Sequence, residues 1–141
     1  MAAGLRSVAK RIIDFIVYEL ERKLETTTIT GSPLKAARPM SYPLIWVRRG
    51  TETTFDTEHG SSAIMDLNVI LDIKVQDSNE PETALENMIQ SVDNVILNDV
   101  RQNDQAIGTW LIGIEEPDYY DKFAITTITY NVRYQYVFGS R

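Results

Sequence analysis

With 141 residues, 43% of them hydrophobic and only seven glycines and five prolines, the chain has enough apolar side chain for a real core and is expected to form a single domain over 1–141. It contains no cysteine and one histidine, His59, which excludes disulfides, cysteine-ligated metal and multi-histidine sites. The net charge of −6 argues against nucleic-acid binding by the whole surface, and no apolar run approaches the roughly 18 residues that span a bilayer.

The N-terminal run is broken by Arg6, Lys10, Arg11 and Asp14, and supports neither a signal peptide nor an anchor. From residue 5 to 24, Leu5, Val8, Ala9, Ile12, Ile13, Ile16, Leu20 and Leu24 recur at helical spacing, with Arg6, Lys10, Asp14, Glu21 and Lys23 largely opposite. This predicts an amphipathic helix ending at Glu25. Residues 26–41, with a threonine run, Gly31, Ser32, Pro33 and Pro39, read as an irregular loop, and Leu44–Val47 as a short apolar strand. The following stretch is polar apart from Phe55 and too long for a tight turn, so residues 49–62 are expected to form the extended, mobile tip of a hairpin.

Every odd position from Ala63 to Val75 is apolar, which predicts a long strand buried on one face. Asn79, Pro81 and Glu82 carry a helix-start signal, continued on one face by Leu85, Met88, Ile89, Val92, Ile96 and Val100. Asn103 and Asp104 break that pattern before a third strand through Trp110, Ile112 and Ile114, and residues 115–122 read as an acidic and aromatic loop. Strict alternation resumes from Phe123 to Phe138, a span of roughly 50 Å if straight against a radius of gyration of about 14 Å, so this strand must bend or project. The order helix-strand-strand-helix-strand-strand specifies an α+β fold: an antiparallel sheet with long hairpin ribbons and two helices on one face.

Charge is segregated along the chain. Residues 1–51 hold nine Lys and Arg against four Asp and Glu, whereas residues 52–121 hold two against sixteen. Opposite poles that survive folding favour head-to-tail stacking of copies; folding that interleaves the segments cancels them.

Signatures of chemistry are sparse. Neither the dinucleotide fingerprint nor the P-loop spacing occurs. His59 lies in the hairpin tip beside Asp56, Glu58 and Ser61, a grouping too close in sequence for a metal cage and more consistent with a solvated loop than with catalysis. Glu115 and Glu116, with Asp118 and Asp121, would do acid and base work only if partly buried; otherwise they solvate a connection. Tyr119 and Tyr120, adjacent aromatics in a loop, suit a protein interface or a core anchor, and Arg48 and Arg49 beside Trp46 suit phosphate contact or a soluble strand end. No catalytic residue, metal or cofactor is expected.

An N-terminal amphipathic helix containing Ile12, Ile13 and Ile16, the Trp46–Arg48 strand, the Met65–Val75 strand, the Leu85–Val100 helix and the terminal Tyr130–Phe138 strand together resemble the tail terminator, or tail completion, proteins of long-tailed bacteriophages. The resemblance is one of order and pattern over nearly the whole chain, without a fixed motif, so no functional residue is carried over. It implies a structural virion protein, assembled in the host cytoplasm, that forms a ring of six on the head-proximal end of the tail tube, stops its polymerisation and joins the tail to the head connector. The implied partners are further copies of the chain, the tail tube protein, the head–tail connector or neck protein and the tail sheath protein, with DNA only as passing cargo and no membrane. Another neck component is the neighbouring alternative; a small-molecule-binding protein or small enzyme using the sheet face and the Glu115–Asp121 loop is the alternative of another class. Candidates for a subunit or tube interface are Trp46, Arg48, Arg49, Phe55, Glu58, His59, Tyr119, Tyr120 and Arg133. Asp56, Glu115, Glu116 and Asp118 are candidates for facing a channel, where like charge keeps DNA from sticking.

Overall fold

The computed structural model describes residues 7–37, 41–58 and 62–137. Its elements are α1 (Val8–Lys23), β1 (Thr28–Thr30), α2 (Pro33–Ala37), β2 (Leu44–Glu58), β3 (Ser62–Gln76), α3 (Pro81–Asn98), β4 (Gly108–Ile114), β5 (Asp118–Tyr120) and β6 (Phe123–Val137). The fold is α+β. The sheet runs β1-β2-β3-β6-β4, with β5 also paired to β6. It is antiparallel except at β1, which lies parallel to the start of β2.

The centre of the molecule is the β3–β6 ladder, fifteen consecutive pairs from Ser62 with Val137 to Gln76 with Phe123. Period two places Leu67, Val69, Leu71 and Ile73 of β3 and Ile128, Tyr130, Val132 and Tyr134 of β6 on one face, all fully buried. On that face lie α1, through Ile12, Ile16 and Leu20, and α3, through Leu85, Val92 and Ile96. The even-numbered residues of β3 are half-exposed along most of its length, so the other face of the sheet is open to solvent. Below Gly108, which pairs with Arg133, β6 runs on beside β3 without β4. The long strands therefore project beyond the edge strand as a ribbon.

Local signals fix the helix ends. Ser7 caps α1 by accepting the Lys10 N–H at 3.1 Å, and Arg22 and Lys23 in its last turn complement the dipole. At α3 the expected Asn79–Glu82 capping box is replaced. Glu80 occupies the cap position without a side-chain bond, and the Asp77 carboxylate instead accepts the N–H groups of Asn79 and Glu80, both at 2.9 Å. Those two bonds hold the Asp77 carboxyl below its ordinary value. Val100, expected on the helix face, lies past the end of α3 and is exposed.

Three further expectations are corrected. Residues 26–41 are not wholly irregular: β1 pairs with Leu44–Trp46, and α2 lies on the return between these parallel strands. Residues 49–58 are strand rather than loop, and β5 forms inside the 115–122 segment. β2 escapes a periodic reading because it carries two bulges, between Arg49 and Glu52 and between Thr54 and Asp56. Each extra residue resets the alternation, so Ile45, Val47 and Arg49 share the helix-side face with Glu52 and Thr54. Glu52 is accommodated there by ion pairing with Arg49 and by accepting the Tyr134 hydroxyl.

Gly50 lies in the first bulge. A Cβ at this position would stand 2.7 Å from Ile70 Cδ1 and 3.1 Å from both Cβ and O of Asn68. Gly50→Val is expected to destabilise the fold by about 1–3 kcal/mol through overpacking. Urea unfolding monitored by circular dichroism checks this, and an unchanged midpoint would show that β3 yields freely beneath the bulge.

Candidate interaction surface

Three side-chain groups cross the open face. Nearest the start of β2, Lys74 Nζ lies over the rings of Phe123 (4.6 Å), Tyr120 (5.4 Å) and Tyr42 (5.5 Å), with the Tyr42 and Phe123 rings edge-to-face. Hydrogen bonding to Tyr120, against the opposing effect of burial, raises the Lys74 pKa and keeps the amine charged. Next, Arg48 Nε donates to Asp72 at 2.6 Å, and the other oxygen of Asp72 accepts the Thr127 hydroxyl at 2.7 Å. The Arg48 guanidinium stands 5.3 Å from the Trp46 ring, whose indole N–H is buried without an acceptor among the described residues.

Toward the ribbon, Asp66 binds Arg133 through two bonds of 2.9 and 3.1 Å and accepts Asn131 Nδ2 at 3.0 Å. The same guanidinium lies 3.5 Å from the Phe55 ring centroid and 5.0 Å from that of Trp110. The second bulge of β2 lies where Phe55 stands, and the side chain reaches across β3 to β6. The Arg133 bond, ahead of the opposing effect of burial, holds the Asp66 carboxyl below its ordinary value.

Of the sequence candidates, Trp46, Arg48, Phe55, Arg133 and Tyr120 thus share the open face. Arg49 belongs to the other face, paired with Glu52, and Tyr119 stands opposite Ala124 at the edge, half-exposed. Glu58 pairs with Ser62 in the backbone ladder, and His59 lies outside the described residues. Glu115, Glu116 and Asp118 gather, exposed, beyond the end of β4. Asp56 stands level with Gln135, eight residues along β6 from Thr127, to which Glu115 is bonded. At about 3.3 Å per residue this separates Asp56 from the other acids by roughly 26 Å.

Sequence reasoning missed the edge. β4 exposes Trp110, Leu111, Ile112 and Ile114, beside Ile107, Tyr119 and Tyr120, and this region holds most of the exposed large apolar side chains. The available signal was apolar character at three adjacent positions, Trp110–Ile112, which a strand buried on one face does not need. The strand is held at its start by a left-handed turn. Gln102, Asn103 and Asp104 have φ of 48°, 60° and 60°, and the buried Gln102 amide donates to Ile96 O and Thr109 Oγ1. Thr109 Oγ1 in turn donates to Val100 O.

Among the described residues no group of His, Asp or Glu side chains is arranged to hold a metal. A concavity between the C-terminal ends of α1 and α3, lined by Phe15, Glu19, Arg22, Val95 and Gln102, measures about 130 Å³, and a shallower, polar one lined by Gln76, Asp77, Ser78, Asn79 and Lys122 about 490 Å³. Small-molecule sites are typically about 300–1,000 Å³.

The sequence matches no family model and no curated protein. The fold is similar to that of a chain in the virion of a native gene transfer agent particle, with a TM-score of 0.63 and 11% identity, over 96% of this chain and 100% of that one. At that identity the likeness is one of fold.

Because the Asp66 pKa lies below its unfolded value, its contribution to stability is present above about pH 4 and is lost as pH falls through the lower folded value. Asp66→Asn is expected to lower Tm at pH 7 and to flatten the acid limb between pH 5 and 2, leaving the part due to Asp77. Parallel Tm-versus-pH curves for the two chains would remove Asp66 from the acid response.

Proposed function

We propose that this chain is a structural subunit of a phage-like virion, and that it acts as a tail terminator: a ring, of six copies on a six-fold tube, that caps the head-proximal end of the tail tube and presents the opposite surface to the head connector. The observation that carries this reading is the likeness of fold, end to end in both chains, to a chain of a virion particle. Support also comes from where the side chains are invested. An open sheet face, a projecting ribbon and an apolar edge strand offer much for assembly.

The mechanism is geometric. A heterologous contact closes into a ring only when the rotation between neighbours divides a full turn, and a six-fold tube supplies that constraint. Growth stops when the ring offers the tube its expected partner surface below and an unlike surface above. The long ribbons, with Phe55 and Arg133 stacked on their open face, contribute contacts between neighbours or to the tube.

Mass photometry and negative-stain microscopy of the purified chain, alone and with tail tubes, test this. Particles of about six subunits, or density capping one tube end only, are expected. A monomer that ignores tubes yet is retained by the head connector would move the assignment to another neck component.

A further inference from the structure

Two strand edges at opposite ends of the sheet have no backbone partner among the described residues. One is the outer edge of β4, which pairs only with β6. The other is the outer edge of β2 beyond Trp46: β1 pairs only with Leu44–Trp46, and Gly31 and α2 lie against β2 without a backbone bond to it. The two are matched in height. Following the pairs across the sheet, Gly108 is level with Arg133, Asp66 and Thr53; Trp110 with Asn131, Asn68 and the Gly50–Thr51 bulge; and Ile114 with Ile128, Leu71 and Val47. The seven residues of β4 thus stand at the level of the stretch of β2 that β1 leaves uncovered.

Direction matches as well. Three antiparallel steps separate β2 from β4, so the two run in opposite senses. When one copy is placed beside another without inversion, β4 meets the next copy's β2 as an antiparallel neighbour, as a head-to-tail contact requires. β4 presents an uncharged edge: Gly108–Ile114 contains no lysine, proline or other charge, and Ile112, at the register shift between Leu111 and Gly113, is 56% exposed.

Charge selects the orientation. Just past β4, Glu115, Glu116 and Asp118 are exposed and form no ion pair among the described residues. Glu115 is bonded through its N–H to Thr127, which is level with Asp72 and Trp46. In a continued sheet Glu115 therefore arrives about two residues, roughly 7 Å, along the strand from Arg48, which is 39% exposed even while bonded to Asp72. Pairing two β4 edges with each other would leave the acids away from Arg48.

We propose that β4 of one copy adds, antiparallel, to the unpaired edge of β2 of the next copy, with Glu115 reaching Arg48, so that the sheet continues from subunit to subunit. The contact rests on the ring reading above and names its interface.

The native chain has no cysteine, which makes cross-linking selective. Ile112→Cys and Thr51→Cys chains, separately and mixed at tens of micromolar, with and without tail tubes, are treated with a short bismaleimide, and assembly is followed by mass photometry. Heterodimers only in the mixture, and a ladder closing at the ring mass for the double variant, are expected. Dimers from Ile112→Cys alone in equal yield would overturn the proposal in favour of β4 self-pairing. Rings that form without cross-links in the mixture would overturn this interface and leave the ring standing, whereas absence of both rings and cross-links would overturn both. Ile112→Lys is expected to raise the concentration needed for assembly at least tenfold with monomer Tm unchanged; assembly at the wild-type concentration would count against the contact.

Discussion

The fifteen-pair ladder between β3 and β6 is the constraint on which the rest of the structure depends. Its inward side chains form an apolar strip that neither strand can bury alone, and each such aliphatic side chain contributes roughly 1.5–3 kcal/mol when taken out of water. The stripes of α1 and α3 exist to cover that strip, and the remaining strands are placed by it, β2 against one side and β4 with β5 against the other. Tyr130 extends the logic with a polar end: its ring sits in the core while its hydroxyl donates to Asp93 of α3 at 2.8 Å, tying helix to sheet. Burial, with Asp93 adding to it, holds that phenol well above its ordinary pKa, so it remains a donor throughout the physiological range.

On the open face the same alternation is filled by charges and rings, and here folding partly cancels the segregation present along the chain. Arg48, from the basic first third, is neutralised by Asp72 from the acidic middle, and Arg49 by Glu52. Arg133 is held by Asp66 across neighbouring strands. What survives is a local imbalance: the acids beyond β4 at one side of the sheet and the half-exposed arginines of β2 at the other. Local pairing therefore lowers the field of the whole molecule without erasing the complementarity of its two edges.

The long strands and the two main helices were legible because their periods run undisturbed: Ala63 to Val75 and Ala124 to Tyr134 alternate, and α1 repeats Ile12, Ile16 and Leu20. β2 was legible only to Val47. Beyond it two bulges put Arg49, Glu52 and Thr54 on the inward face, and a polar inward face reads as loop. β1, α2 and β5, of three, five and three residues, are too short to carry a period and are specified by the neighbours they meet. The surface was legible residue by residue but not as an arrangement. Phe55, Arg133 and Trp110 belong to three strands, and Tyr42, Lys74, Tyr120 and Phe123 join only once the sheet is formed. The Asn79–Glu82 box failed because Asp77, two residues upstream, already takes the Asn79 N–H that Glu82 would have accepted, and the Glu80 N–H with it.

The alternation along β3 and β6 also bears on how such a chain can change over evolutionary time. A strip built from Leu, Ile, Val and Tyr at every second position asks only for apolar volume, and exchanges among these side chains typically cost under about 1.5 kcal/mol. The positions between them face water or one another and are freer still, provided each charge keeps a partner. Two sequences can therefore share few letters and keep the same backbone path, as the pairing of 11% identity with near-complete overlap of the two chains illustrates. Such a fold is specified by its hydrophobic rhythm, and comparisons that score rhythm rather than residues are the ones suited to recognising it.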